Sequence, residues 1–140
     1  MTVTRAQVVA EARKWIGTPW RHQGRNVHGI DCVGLVVVVC KGLGISSYDD
    51  TGYGRDPDPH KFLPHFQKGG AVRIDPKIMR PGDLIIFRQS AFPCHSGIVS
   101  EKQGTLHVIH AHMLRRKVVE EPILPQAPVV AVFKLPDVVD

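Results

Sequence analysis

The pattern of apolar residues near the N-terminus predicts a first helix. Thr4 and Gln7 form a T-x-x-Q capping box, in which each side chain satisfies a backbone N–H group of the first turn. The apolar positions that follow recur at helical spacing, at Val8, Val9, Ala12, Trp15 and Ile16. Gly17 is expected to end the helix, and Pro19 follows it. We therefore expect a helix between Thr4 and Gly17.

The apolar run from Cys32 to Leu43 fits either a buried helix or a buried strand, which periodicity cannot separate. Its four consecutive valines, 36–39, have strand propensity. Asp31 before the run is a good helix N-cap and Gly44 after it is a good C-cap. The length and the two caps favour a helix that begins at Cys32, and the strand stays open as the alternative.

The rest of the chain divides into loops, one short helix and a run of strands. Residues 17–31 are rich in turn formers and predict a loop, ordered or disordered, and 45–58 predict a second loop. Residues 62–66 predict a short helix interrupted near Pro64. Six short strands are then expected at 71–74, 83–87, 97–101, 105–112, 117–121 and 129–135. Helices followed by strands indicate an α+β domain with an antiparallel sheet.

Composition limits the class of protein. A chain of 140 residues, 43% hydrophobic and 22% charged, predicts one globular domain over 1–140. Its longest apolar run is far shorter than the roughly 20 residues of a membrane span, and charges near the N-terminus argue against a signal peptide. Three cysteines are an odd number, so we expect a reducing compartment and no disulfide framework. The net charge of +5 favours anionic partners, but no phosphate-binding loop or nucleic-acid pattern accompanies it.

Cys32 is the first candidate for chemistry. At the first position of a helix its sulfur lies near unpaired N–H groups and the positive end of the helix dipole, which lower a thiol pKa. A small buried apolar cysteine is the alternative. Cys40, inside the apolar run, is interpreted as core. Cys94 precedes His95 on a strand, so if His95 faces a site, Cys94 is expected to face away from it.

The histidines supply the groups that a catalytic cysteine needs. One imidazole can take the thiol proton, and a second polar group can orient the first. His95 lies at the start of a predicted strand, His110 and His112 share one strand face, and His107 lies on the other. A zinc site is the competing hypothesis, but H-x-H gives only two ligands on one face and no C-x-x-C or H-E-x-x-H occurs. We therefore expect neither a metal nor another cofactor.

Five motifs in order carry a resemblance to a known family. They are G-T-P-W-R-H-Q-G at 17–24, I-D-C-V-G-L at 30–35, R-P-G-D-L-I-I-F at 80–87, H-S-G-I-V at 95–99 and V-I-H-A at 108–111. Together they resemble the NlpC family of cell-wall cysteine endopeptidases, and more narrowly its members associated with the tails of phages and gene-transfer agents. The match runs from the first helix to the last strand.

The resemblance implies a papain-like α+β fold, with N-terminal helices packed on the sheet and the nucleophile at a helix N-terminus. By position, Cys32 matches the nucleophile, His95 the general base and acid, and His110 the orienting residue. Three more positions match substrate-binding or oxyanion groups: Trp20, Asp31 and Ser96. The Cys32 backbone N–H would supply an oxyanion donor. The implied substrate is the peptide stem of peptidoglycan, cut between D-γ-glutamate and a diamino acid.

Two residues depart from the family pattern. Trp20 stands where a tyrosine hydroxyl is common, and Val33 stands where serine commonly follows the nucleophile. Both motivate an alternative function, a catalytically weak structural or wall-binding tail component with the same fold. A third hypothesis keeps the triad but changes the reaction to acyl transfer or to amidase action at another bond.

The resemblance also implies partners and a place of action. We expect synthesis in the cytoplasm without a signal peptide, assembly with tail or hub proteins of a phage-like particle, and action at the cell wall. A free bacterial enzyme that acts on recycled peptides is the alternative. Neither nucleic acid nor a membrane span is expected.

Overall fold

The computed structural model of the protein describes residues 2–54, 59–89, 92–124 and 128–140. The helices are α1 (Arg5–Arg13), α2 (Cys32–Leu43) and α3 (Pro59–Lys68), with a 3-10 turn at Pro76–Ile78. The strands are β1 (Val3–Thr4), β2 (Arg25–Asn26), β3 (Gly29–Ile30), β4 (Val72–Ile74), β5 (Leu84–Gln89), β6 (Phe92–Lys102), β7 (Thr105–His112), β8 (Lys117–Pro122), β9 (Val129–Lys134) and β10 (Val138–Val139).

Six of these strands form one antiparallel sheet in the order β4-β9-β5-β6-β7-β8. The β6–β7 register pairs Ile98 with Ile109, and the β7–β8 register pairs His110 with Val119. Two short pairs lie outside the sheet, the parallel β1–β10 pair and the β2–β3 hairpin. The predicted α+β class with an antiparallel sheet is confirmed, as is the papain-like fold.

The main core lies between the helices and one face of the sheet. Its fully buried members come from both layers: Val8, Ala12, Ile30, Leu35, Val39, Leu84, Ile86, Ile98, Ile109, Ala111 and Phe133. Alternate residues of the same strands build a smaller cluster on the other face: Ile85, Phe87, Val99, Val108 and Val132. Because neighbouring strand residues face opposite ways, this division fixes which side of the sheet each histidine occupies.

The ambiguity over the valine run resolves to helix. Asp31 caps α2 from an extended conformation, and Gly44 closes it in the left-handed region with φ of 71°. Seven residues of α2 are buried, so the run packs as a helix because it lies between α1 and the sheet. Tertiary burial here outweighs the strand propensity of the valines.

Several predicted boundaries were wrong. The capping box of Thr4 and Gln7 is present, but α1 ends at Arg13 rather than near Gly17. The amides of Trp15 and Ile16 bond three residues back, which tightens the chain out of the α-helix. Helix α3 continues through Pro64, where an interruption was expected. Strand β6 begins at Phe92, so His95 lies inside the strand, and the predicted loop residues Ser90 and Ala91 lie outside the described residues.

Candidate active site

Asp31 fixes the start of α2. Its Oδ1 accepts a 2.8 Å hydrogen bond from the Gly34 amide, the helix cap that the sequence predicts. Its Oδ2 accepts 2.7 Å bonds from the Gln23 amide and from the Tyr53 hydroxyl. Arg25 adds an ion pair at 3.2 Å. This buried carboxylate therefore ties two loops to the first turn of α2, directly before Cys32.

The loop before α2 packs closely on that first turn. A Cβ on Gly34 would lie 2.3 Å from the carbonyl oxygen of Gly24, a distance that no side chain can adopt. The glycine after Cys32 and Val33 is thus required by the approach of the loop. This approach leaves the side chain of Cys32, at the helix start, half-buried at the edge of the loop.

Cys32 and His95 border one pocket, which we call the Cys32 pocket. Its walls come from the first loop, the start of α2, the loop after α2, α3, β6 and the turn between β7 and β8. They are formed by Trp20, His22, Asp31, Cys32, Tyr53, Gly54, Phe62, Cys94, His95 and Met113. The fold thus brings the predicted nucleophile and the predicted base to the same pocket from elements far apart in sequence.

Three side chains form a hydrogen-bonded chain on the sheet. Nε2 of His95 lies 2.7 Å from Nδ1 of His110, and Nε2 of His110 lies 2.7 Å from Oε1 of Glu121. The rings of His95 and Phe87 pack at nearly a right angle, with centroids 5.2 Å apart. Because Nε2 of His95 is used by His110, Nδ1 is the ring nitrogen left to accept a proton.

The environment keeps His95 neutral. Burial and the nearby rings of His110 and His112 hold the pKa of His95 well below its usual value of 6.5. The pKa of Glu121 is lowered, first by its hydrogen bond to His110. The hydrogen-bonded chain therefore has a neutral imidazole, His95, at one end and an ionised carboxylate, Glu121, at the other.

The Cys32 thiol is neutral as well, which corrects the sequence-based expectation. Burial raises the pKa of Cys32 to about 11, and the negative charge of Asp31 adds to the rise. Groups of Ser96 and the backbone of Val33 lower the pKa by less. The helix N-terminus therefore does not suffice to ionise the thiol, because desolvation and the capping carboxylate oppose it.

Ser96 stands beside the sulfur of Cys32. Its hydroxyl is fully buried and, among the described residues, has no partner within hydrogen-bonding distance and angle. No hydrogen bond joins the Cys32 sulfur to the His95 ring within the described part of the chain. Such bonds are often long in catalytic sites without substrate and tighten when it binds.

A family model for NlpC/P60 matches residues 17–132, which contain Cys32, His95, His110 and Glu121. The chain belongs to the NlpC/P60 family. The narrower tail-associated subtype stays a prediction.

The fold of this NlpC/P60 chain is similar to the folds of several solved structures. It matches the crystal structure of the NlpC/p60 domain of the peptidoglycan hydrolase SagA at 24% identity and a TM-score of 0.65, over 95% of this chain and 100% of that one. An NlpC/P60 family protein from Bacillus cereus matches at 22% and 0.66, over 94% of this chain and 40% of that one. An N-acetylmuramoyl-L-alanine amidase from Bacteroides uniformis matches at 13% and 0.65, over 94% and 98%. No curated protein matches the chain.

The cysteines of the NlpC/P60 domain have different surroundings. Cys40 is buried in the main core as predicted, and burial raises its pKa to about 12. Cys94 was expected to face away from the site, and that was wrong. It packs in the main core, on the sheet face opposite Phe87, yet it borders the Cys32 pocket together with His95. Both faces of β6 thus contribute to the pocket.

Trp20, a predicted substrate-binding residue, lines the Cys32 pocket. Trp20 is half-buried, and its ring stacks on His22 with centroids 6.5 Å apart.

Within the described residues no group of three or more potential metal ligands clusters. The same residues include no helix long and apolar enough to cross a membrane.

Two residues of the site, Tyr53 and Glu121, were not predicted from the sequence. Tyr53 comes from the loop after α2 and brings a phenol into the Cys32 pocket, where Trp20 does not supply one. Glu121 reaches His110 from the neighbouring strand β8. The β7–β8 pairing of His110 with Val119 puts Glu121 on the same face two residues on, so a known register would have found it.

Proposed function

We propose that the protein is a cysteine peptidase that hydrolyses an amide bond in the peptide stems of peptidoglycan, between D-γ-glutamate and a diamino acid. The observation that carries this proposal is the 2.7 Å bond between His95 and His110 at a pocket that also contains Cys32. Family membership supports it, as does the likeness to a peptidoglycan hydrolase and to an amidase of the cell wall.

The reaction begins from the neutral pair. As the substrate carbonyl approaches, the Cys32 thiol gives its proton to Nδ1 of His95, and the sulfur attacks the carbonyl carbon. The oxyanion lies near the Cys32 backbone N–H at the start of α2. His95 then protonates the leaving amine nitrogen, the C–N bond breaks and a thioester remains on Cys32. A water molecule gives a proton to His95 and attacks the thioester, which releases the acid and restores the thiol.

The surroundings of Cys32 require that substrate binding activates the thiol. A pKa of about 11 leaves little thiolate in the resting protein at neutral pH. Proton transfer to His95 therefore occurs together with attack rather than before it, and the imidazolium that forms is stabilised by His110 and, beyond it, by Glu121. Asp31 and Trp20 border the place where the stem peptide would lie, and Ser96 interacts with Cys32 from beneath the pocket lining.

A catalytically weak wall-binding component is the second candidate. It is favoured by the raised pKa of Cys32 and by Trp20, which carries no hydroxyl. Such a protein would sediment with purified cell walls and release no product. Amidase action at another bond would instead give products of a different mass.

We also propose that the protein acts as part of a phage or gene-transfer-agent tail. It would be made in the cytoplasm and assembled with tail or hub proteins. The motif G-T-P-W-R-H-Q-G at 17–24 supports this context. Peptide mass spectrometry of purified particles from the producing cells tests it, and particles that lack the chain would refute it.

Muropeptide digestion followed by mass spectrometry tests the activity. The wild-type protein should release fragments that end in D-glutamate, and Cys32→Ala should release none. Cys40→Ala is the matched control, since it also removes a thiol but lies in the core away from the pocket. Equal product from wild type and Cys32→Ala would end the proposal.

A further inference from the structure

Glu121 lies at the end of the histidine chain farthest from Cys32. Its Oε1 is 2.7 Å from Nε2 of His110, whose ring is fully buried. The same His110 ring uses its other nitrogen, Nδ1, for His95 at 2.7 Å. Both nitrogens of His110 are therefore engaged, one by a carboxylate and one by an imidazole.

The chemistry of Glu121, His110 and His95 determines which nitrogen donates in each hydrogen bond between them. An ionised carboxylate only accepts hydrogen bonds, so Nε2 of His110 must carry a hydrogen. A neutral His110 then accepts at Nδ1, and the hydrogen between the rings belongs to Nε2 of His95. The lone pair of His95 is consequently left on Nδ1, the ring nitrogen that His110 does not use, and His95 is one of the residues that line the Cys32 pocket.

Without the carboxylate of Glu121, the donor and acceptor in the hydrogen bond between His95 and His110 could exchange roles. If Nε2 of His110 accepted a hydrogen bond instead, its Nδ1 would donate to His95, and the His95 hydrogen would move to Nδ1. That form cannot take a proton from the Cys32 thiol. One acceptor two hydrogen bonds away thus decides whether His95 is a base.

We propose that Glu121 is a positioning residue that imposes the Nε2–H tautomer on both His110 and His95 and so presents the basic Nδ1 of His95 to Cys32. Its catalytic part rests on the proposed function. Its negative charge also favours protonation of His95 when the thiol gives up its proton.

Other charged groups near the chain define the background of the test. His112 lies 3.9 Å from Glu121 through its Nε2, and Arg115 lies 3.8 Å away through its Nη2. The other titratable residues that line the Cys32 pocket with His95 are His22, Asp31, Cys32, Tyr53 and Cys94. Of these, Glu121 alone accepts a hydrogen bond from His110 in the described part of the chain.

The test replaces Glu121 by an uncharged group of the same shape. The amide of Glu121→Gln can either accept from His110 or donate to it, so both directions of the chain become available. Glu121→Asp keeps a carboxylate on a shorter side chain and should restore part of the effect. The matched control is Glu120→Gln, the same change one residue earlier, where the carboxylate binds Arg13 and Ser100 instead.

The first readout is the tautomer itself, from ¹⁵N–¹H correlation spectra of histidine-labelled protein, with His95 and His110 identified by single substitution. Wild type and Glu120→Gln should show both rings as Nε2–H, and Glu121→Gln should show a mixture. Unchanged tautomers in Glu121→Gln overturn the proposal. This readout needs no substrate, so it decides the proposal even if the protein hydrolyses nothing.

The second readout is the pH profile of hydrolysis. Glu121→Gln should lower kcat about ten- to a hundredfold with little change in KM, less than the roughly 10⁴-fold loss when a directly bonded orienting carboxylate is neutralised. The acid limb of the profile should move to lower pH, because a negative charge that favours protonation of His95 through His110 is gone. Glu121→Asp should recover part of kcat. An unchanged kcat and acid limb in an active Glu121→Gln protein would refute the catalytic role.

Discussion

The hydroxyl of Tyr53 donates a 2.7 Å hydrogen bond to Oδ2 of Asp31. Nη2 of Arg25 donates to the same hydroxyl at 2.9 Å. Through these bonds the loop after α2 is tied to the residue that caps the nucleophile helix. Burial and the charge of Asp31 raise the pKa of Tyr53, so the phenol stays protonated and remains a donor. The loop and the helix start therefore form one hydrogen-bonded unit around the pocket.

Tyr53→Phe is expected to destabilise the protein and to weaken substrate binding. It removes one donor to a buried carboxylate, a change that costs about 1–3 kcal/mol. It also frees the loop that forms one wall of the Cys32 pocket. Urea denaturation and steady-state kinetics measure the two effects. Tyr48→Phe is the control, since that hydroxyl bonds His65 outside the pocket, at 3.0 Å, and its loss should leave KM unchanged.

Alkylation by iodoacetamide should select Cys32 and should be slow at neutral pH. Cys40 and Cys94 are buried, whereas Cys32 is half-buried. Because the pKa of Cys32 is about 11, its labelling rate should rise with pH until that region. Ser96→Ala removes a group that lowers this pKa, so it should slow labelling further, and Cys32→Ser should abolish it. Fast labelling at pH 6 that does not vary with pH would show an ionised thiol and contradict this expectation.

Gly97→Ala should disturb the two strands that hold His95 and His110. A Cβ at this position would lie 2.5 Å from Cγ2 of Val108 and 2.9 Å from the carbonyl oxygen of Ile109. Overpacking of this kind costs about 1–3 kcal/mol and shifts the backbone. We expect a lower denaturation midpoint and lower activity. Gly54→Ala, where no atom lies within 4 Å of the added carbon, should leave the midpoint unchanged.

Stability should fall on both sides of neutral pH. The folded pKa of His95 lies below the unfolded value of 6.5, so the unfolded chain binds more protons and stability decreases as the pH drops below about 6.5. The folded pKa values of Cys32 and Cys40 lie above the ordinary 9.0, so stability decreases as the pH rises from 9 towards 11. Urea midpoints at pH 5, 7.5 and 10.5 measure both limbs.

Two variants separate the contributions to that profile. His95→Gln should flatten the acid limb, because a glutamine does not titrate there. Cys40→Ala should reduce the alkaline limb and leave the acid limb as it is. A flat profile from pH 5 to 10.5 in the wild-type protein would contradict the buried neutral groups that the structure places around the site.

The helix and strands that carry the site could be predicted where neighbouring residues signal their ends or their type. Asp31 and Gly44 mark the ends of α2. The sequence also predicts the strand that carries His110, whereas the strand that carries His95 begins at Phe92 and was predicted to begin only at residue 97. Tyr53 lies in a loop without periodicity, so nothing local assigns it to the pocket. The raised pKa of Cys32 depends on what packs around the sulfur, and tertiary burial of that kind is not encoded in the residues next to it.

Rapid acid quenching of the protein with a stem tripeptide, followed by mass spectrometry of its peptides, tests the role of Cys32 most directly. We expect the acyl part of the substrate on the peptide that contains Cys32, formed while product appears, and neither adduct nor product with Cys32→Ala. Product release by Cys32→Ala at the wild-type rate, or an adduct on Cys94 in place of Cys32, would contradict the assignment of the nucleophile.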